Sequence, residues 1–154
     1  MKDEKITLAT AKLCKEKNFD VAVFGSFVEY LKNQIDPEYP EGGGPFSMIK
    51  GEIEESNDYF QNNNEKRHDY TNKNYACYAR PTQSLLLKWL REVHKLHIEI
   101  VLGHDEKETW YDFYVYKIEL GYDGDFIADS CDMDGDNSYE SCLEAALFNA
   151  LKLI

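Results

Sequence analysis

The stretch CDMDGDNSYESC, residues 131–142, concentrates oxygen donors: Asp132, Asp134 and Asp136 alternate about Gly135, with Glu140 following. Carboxylates alternating around a glycine suggest a calcium loop. Such a loop needs oxygens at positions 1, 3, 5, 7 and 9, Gly at 6 and a bidentate Glu at 12. A loop opened at Asp132 has Asn137 at the glycine position and Leu143 at the last one. Opening it at Ser130 restores Gly135 but leaves Ser141 where the bidentate Glu belongs. The preceding segment also reads as a strand. The stretch is therefore expected to be an acidic turn in which Asn137 or Ser138 caps the last helix. Glu140, three residues past Asn137, has the spacing of a reciprocal capping box. No metal site is predicted.

The remaining reactive residues form no better constellation. His94 and His97 would share a metal only on one uninterrupted helix. Here a helix is expected to end between them, where an imidazolium near its carboxy terminus suits the dipole. Cys77 with His68 or His94 forms a Cys–His pair on paper. Nothing nearby supplies an oxyanion hole or a lowered thiol pKa. The run Gly42–Gly44 has no following Lys-Ser/Thr and no preceding strand, so it is no phosphate loop. The carboxylates of YDGDF read as a hairpin turn. No catalytic residue and no cofactor are expected.

The one stretch that points to recognition is WYDFYVYKIEL, residues 110–120. As a strand it presents Tyr111, Phe113, Val115 and Lys117 on one side and Trp110, Asp112, Tyr114, Tyr116 and Ile118 on the other. If Phe113 and Val115 face a core, then Trp110, Tyr114 and Tyr116 lie outside with Asp112, near Glu99. Two accounts are open. The amino-terminal strands cover that face, or it is an aromatic, acidic contact surface, since Trp and Tyr anchor interfaces. On the second account the partner-binding residues are Trp110, Asp112, Tyr114, Tyr116 and Glu99, with Asp123 and Asp125 in the adjoining turn.

The elements that must position this strand follow from periodicity. Thr7 caps a helix to about Lys17 with Ile6, Ala9 and Leu13 in a stripe, and Asn18 suits the left-handed position that ends it, with Phe19 folding back. DVAVFGSFVEYL reads as a strand or a bent pair hinged at Gly25. FSMIKGEIE offers a short strand. From about 31 to 74 a polar insertion is expected, with 55–74 as a surface excursion. Tyr75–Tyr78 completes the amino-terminal sheet. Pro81 is placed in the first turn of a helix over 82–95, with Leu86, Trp89, Leu90 and Val93 in a stripe that Leu85 widens. Strands are expected at 97–102, 110–119 and 126–130, and a helix at 139–153. Ile98, Ile100 and Leu102 share one strand face. Tyr139, Leu143, Ala146, Leu147, Ala150 and Ile154 share one helical stripe. The fold class is α+β: an antiparallel sheet in α-β-β-β-α order in the carboxy-terminal half, both helices on one face, preceded by a helix and short strands.

Composition sets the class of protein. A chain of 154 residues suits a single domain and buries enough surface to need no staples. Its 43% hydrophobic content, with 11 Tyr, 8 Phe and 2 Trp, argues against wholesale disorder. No apolar run approaches a membrane span, and the start MKDEKITLATAKLCKEK lacks a signal-peptide core, so a cytoplasmic location in a bacterial host cell is expected. Cys14, Cys77, Cys131 and Cys142 contain no C-x-x-C pair. Four thiols are the expected state, with a Cys131–Cys142 disulfide as the alternative. The net charge of −12 is lopsided: residues 97–140 hold 13 acids against Lys107 and Lys117, a net −11. Such a field repels nucleic-acid phosphates and attracts basic surfaces.

Two resemblances bear on this reading. The order α-β-β-β-α resembles the double-stranded-RNA-binding domain. That family grips phosphate with lysines at the start of its last helix, where this chain has DNSYESCLEAA and no lysine; the resemblance therefore implies fold and not RNA binding. In sequence, ARPTQSLLLKWLREVHKLHIEI with SYESCLEAALFNALKLI is similar to small uncharacterised proteins of Bacteroidales prophages and mobile elements. TLATAKLCKEKNF matches their T-x-x-x-A-x-x-L/C-K-E-x-x-F helix. Residues 31–74 depart from that group and read as an enlarged insertion. The resemblance implies a phage-related origin and no mechanism.

The expected function is protein–protein binding through the acidic, aromatic-bearing surface, with a partner that has a basic surface. Direct binding to nucleic acid or membrane is not expected. The alternative is an acidic nucleic-acid mimic that occupies the groove of a host enzyme, and a small enzyme stands third. Carboxylates spaced regularly across the sheet would favour the mimic. A continuous aromatic patch would favour the ordinary interface, and a deep polar pocket the enzyme.

Overall fold

The computed structural model describes residues 4–30, 53–60, 75–118, 125–129 and 138–154. The chain runs α1 (Leu8–Glu16), β1 (Val23–Tyr30), β2 (Ile53–Phe60), β3 (Tyr75–Ala79), α2 (Gln83–Val93), β4 (Leu96–His104), β5 (Thr109–Lys117), β6 (Asp125–Asp129), α3 (Tyr139–Lys152). Two antiparallel sheets result, in the orders β2-β1-β3 and β4-β5-β6. The fold class is α+β, with α-β-β-β-α order in the carboxy-terminal half.

α1 is held at both ends by local chemistry. The Thr7 hydroxyl accepts from the Thr10 N–H. At the other end Asn18 takes φ 60°, the Asn18 N–H donates to the Lys15 carbonyl at 3.2 Å, and the Phe19 N–H donates to Cys14 at 2.8 Å. That is a complete Schellman motif, and it folds Phe19 into the core, fully buried and edge-on to Trp89 with ring centroids 5.2 Å apart. The buried side of α1 is Thr10, Ala11 and Cys14; Ala9 is exposed and Leu13 only half-buried. The expected apolar stripe is therefore rotated, because α3 supplies a polar partner for Thr10.

In the first sheet β1 is a single strand with Gly25 at φ 135°, opposite a register shift between Phe24 and Ser26. A positive φ of that kind is open to glycine and costly for other residues. β3 pairs along β1 as expected. The expectation of a surface excursion from residue 55 needs correction, since Glu55 to Phe60 belong to β2. This strand lacks apolar alternation and is held by its backbone ladder to β1, by Arg80–Glu55 at 2.6 Å and by Lys5 Nζ donating to Asn57 Oδ1 at 2.9 Å. Residues 31–52 and 61–74 lie outside the described residues.

α2 is capped by Thr82, whose hydroxyl accepts the Leu85 N–H at 3.3 Å. Pro81 thus precedes the helix instead of opening it; its carbonyl accepts the Ile6 N–H at 3.1 Å. Leu86, Trp89 and Leu90 are buried, while Val93 is 58% exposed and leaves the stripe. α3 is capped by Ser138, whose hydroxyl accepts the Ser141 N–H at 3.1 Å. Glu140 is then the second helical residue, so the expected reciprocal box is not formed, although the charge still faces the helix dipole favourably. Its buried side holds Leu143, Ala146, Leu147 and Ala150, widened by Cys142 and Leu151.

Both α2 and α3 pack on β4, α3 also packs on β5, and the two helices touch each other. The shared face of the second sheet holds Ile98 and Ile100 beside Val115 and Phe113, with Tyr111 edge-on to Tyr139 at 6.1 Å. Leu102 continues that row but is 54% exposed, past the reach of the helices. Among the described residues, no helix is long and apolar enough to cross a membrane.

Candidate interaction surface

β5 and β6 decide what the second sheet offers on its other side. The β4–β5 register is unbroken from Leu96↔Lys117 to His104↔Thr109. With Phe113 and Val115 buried, strand alternation sends Trp110, Asp112, Tyr114 and Tyr116 to the opposite face, beside His97, Glu99, Val101 and Gly103. The first sheet does not cover them: α1 lies against β3 and α3, and no strand of β1–β3 packs substantially on β4, β5 or β6. Of the two accounts of this face, the covering one fails among the described residues.

The side chains form a connected group. Tyr114 and Tyr116 ring centroids lie 6.4 Å apart, and Phe126 from β6 sits 6.3 Å from the first and 6.2 Å from the second. His97 adds a fourth ring, 6.5 Å from Tyr116. These spacings are within the range of favourable aromatic contact. Phe126 is 55% exposed and Val101 38%. Glu99 stands across the ladder from Tyr114, with its charge beside the Tyr116 phenol. The Tyr116 phenol is pushed above its ordinary value by partial desolvation first, then by the charge of Glu99.

Trp110 anchors the far end. Its indole N–H donates to Asp112 Oδ2 at 2.8 Å, and the ring lies over Gly103, its cross-strand neighbour. A β-carbon at position 103 would stand 2.4 Å from the indole, so glycine is what permits this placement. The β4–β5 turn below is tied by Asp105, whose carboxylate accepts the Lys107 and Glu108 N–H groups at 2.7 and 2.8 Å. Those two bonds hold its carboxyl below the usual range.

Of the residues expected on this surface, Trp110, Asp112, Tyr114, Tyr116 and Glu99 come together. Asp123 lies outside the described residues, as does the Asp132–Asp136 stretch. Asp125 is exposed but pairs in register with Lys117, and so shares the other face. The residues that sequence reasoning missed are Phe126 and Asp129. A register shift between Val115 and Tyr116 leaves Ile127 as the extra residue of β6, so that Phe126 faces Tyr116 and Asp129 faces Tyr114. Strict alternation sets Phe126 and Asp129 on opposite faces, so it cannot assign both correctly. Cys131 lies outside the described residues, and with it the alternative Cys131–Cys142 disulfide. Burial pushes the Cys14 thiol up to about 12, which removes it as a nucleophile at neutral pH.

The chain matches no protein-family model, no curated protein and no solved structure.

Proposed function

We propose that this protein acts by binding another protein through the outer face of the β4-β5-β6 sheet, and that the partner presents a basic surface. The observation that carries the reading is the continuous aromatic group Tyr114–Tyr116–Phe126, with Phe126 exposed and the two tyrosines half-buried, bordered by Glu99, Asp112 and Asp129. A cluster of rings at the centre with carboxylates around it is the arrangement of an interface core and rim. It fits a flat protein surface better than it fits a mimic of evenly spaced phosphates, which would need carboxylates in the places that these rings occupy. The charge of −11 in residues 97–140 adds long-range attraction for a basic partner.

The test is an affinity capture run in parallel with wild type and a Tyr114→Ser, Phe126→Ser double variant, followed by binding kinetics with the captured protein. The reading requires three results together: a partner lost with the variant, an on-rate falling about tenfold or more between 50 and 300 mM salt, and an unchanged circular dichroism spectrum. Equal capture by both proteins, or an on-rate indifferent to salt, overturns it.

A further inference from the structure

Among the described residues the second sheet has an open edge. β4 is its first strand, nine residues long, with no proline, no lysine or arginine and an unbroken register. Exposed edges of this kind are normally blunted by such residues or by a bulge. β6, the opposite edge, is five residues long and carries the Ile127 bulge.

The ladder shows which backbone groups β4 leaves pointing outward. Two bonds in the β4–β5 register are direct: the Ile118 N–H donates to the Lys95 carbonyl at 2.7 Å, and the Asp105 N–H to Glu108 at 3.0 Å. Antiparallel pairing alternates, so the odd-numbered residues between them, His97, Glu99, Val101 and Gly103, exchange bonds with β5. Leu96, Ile98, Ile100, Leu102 and His104 therefore direct their N–H and C=O groups away from the sheet. Among the described residues nothing accepts them.

We infer that this edge is where a second copy of the chain adds, β4 against β4 in antiparallel sense about a two-fold axis at Ile100. That register is selected by the residues themselves. It engages the whole strand, pairs the outward-pointing residues with one another (Ile98 with Leu102, Leu96 with His104), and makes about ten hydrogen bonds. Shifting the axis to Glu99 sets two carboxylates directly opposite each other, which is repulsive. Moving it to Val101 shortens the pairing.

Side-chain cover is complementary in the chosen register. On the helix side Leu96 and Ile98 are buried whereas Leu102 is 54% exposed. The two-fold axis brings the naked end of one strand beside the end that α2 covers in the other. On the outer side Glu99 meets Val101, itself 38% exposed. The product is a six-stranded sheet with both aromatic faces on one side. Each chain carries a net −12, so association works against repulsion and strengthens as salt screens it. This is the opposite salt dependence to that of a basic partner, so the two readings fail independently.

Sedimentation velocity of the full chain across a range of concentrations, at 50 and 300 mM NaCl, tests the inference. Wild type is expected to shift toward dimer with concentration, with association about tenfold stronger at the higher salt. Leu102→Pro removes an edge-directed N–H that the monomer's own ladder does not use, and is expected to remain monomeric. Leu102→Lys tests the same edge without touching the backbone, with the same expected result. Ile100→Cys, on the axis, is expected to form an intermolecular disulfide through residue 100, since facing Cα atoms there are about 5.5 Å apart. A wild type that stays monomeric under all conditions overturns the proposal. So does a dimer that survives Leu102→Lys, or oxidised Ile100→Cys without that cross-link.

Discussion

Replacing Glu144 by alanine is expected to loosen all three helices from one another, although the residue lies on α3 among apolar neighbours. One carboxylate oxygen accepts the Thr7 N–H at 2.8 Å and the Thr10 hydroxyl at 2.5 Å, and the other accepts Gln83 Nε2 at 3.3 Å. Thr7 is the N-cap of α1, and in a capping box its N–H is satisfied by an acid three residues on. Position 10 is threonine, so the acid comes from α3 instead. The charge then also sits at the positive end of the α1 dipole. Thr10 and Gln83 are 1% and 5% exposed, so water replaces little of what is lost. Each has a second partner: Thr7 Oγ1 for Thr10 and the Glu140 carbonyl for Gln83. A hydrogen bond to a charged group contributes about 1.5–3 kcal/mol. Three such bonds lost at a partly solvated carboxylate, offset in part by the second partners of Thr10 and Gln83, give a destabilisation of about 3 kcal/mol, or a fall of about 6–12 °C in Tm. Glu144→Gln keeps an acceptor for α1 but turns an amide toward Gln83, and should cost about 1 kcal/mol. Urea denaturation of Glu144→Ala, Thr10→Val and the double variant should give a coupling of about 1 kcal/mol or more. A Glu144→Ala protein within about 0.5 kcal/mol of wild type, or a coupling near zero, refutes the trans-capping account.

Other outcomes follow from the same contacts. Asn18→Gly should leave the urea midpoint nearly unchanged or slightly raised, whereas Asn18→Ala should cost about 1 kcal/mol, because φ 60° is open to glycine and strained for alanine. Glu29 has its carboxyl held below its ordinary 4.5, chiefly by the hydrogen bond from Lys12 and also by that from the Tyr78 hydroxyl. A depressed folded pKa adds stability above the unfolded value that is lost as pH falls through the folded one. Wild type should therefore outlast Glu29→Gln in urea at pH 7, with the gap closing as pH drops below 4.5. The Tyr78 phenol, pushed up to about 12 by burial and by Glu29, should titrate earlier in that variant when followed by ultraviolet absorbance. Gly103→Ala should expel the Trp110 ring at a cost of about 1–2 kcal/mol, seen as a red-shifted emission that the same change in a Trp110→Phe background does not show.

What the sequence made legible is what rests on side-chain pattern. The α2 stripe of Leu86, Trp89 and Leu90 and the alternation of β5 needed only periodicity. Asn18 and Phe19 needed only the rule for helix ends. What stayed illegible rests on backbone pairing. Glu55–Phe60 looks like loop because its sequence has no apolar alternation, whereas its place in the sheet comes from the ladder to β1. Glu144 looks like one more surface acid because its partners are a cap and a hydroxyl on another helix, far away in sequence.

The candidate surface divides along the same line. Its β5 half follows from Phe113 and Val115 facing inward, but its β6 half depends on where one extra residue falls. With the extra residue at Ile127, Phe126 joins Tyr114 and Tyr116 and Asp125 turns away toward Lys117. Continue strict alternation from Val115↔Ala128 without it, and Ile127 would face Tyr116 while Phe126 faced Lys117 on the helix side. The same composition would then present an aliphatic side chain where the aromatic group now closes. The make-up of this face is thus written in register, and register is the property that composition and periodicity report least.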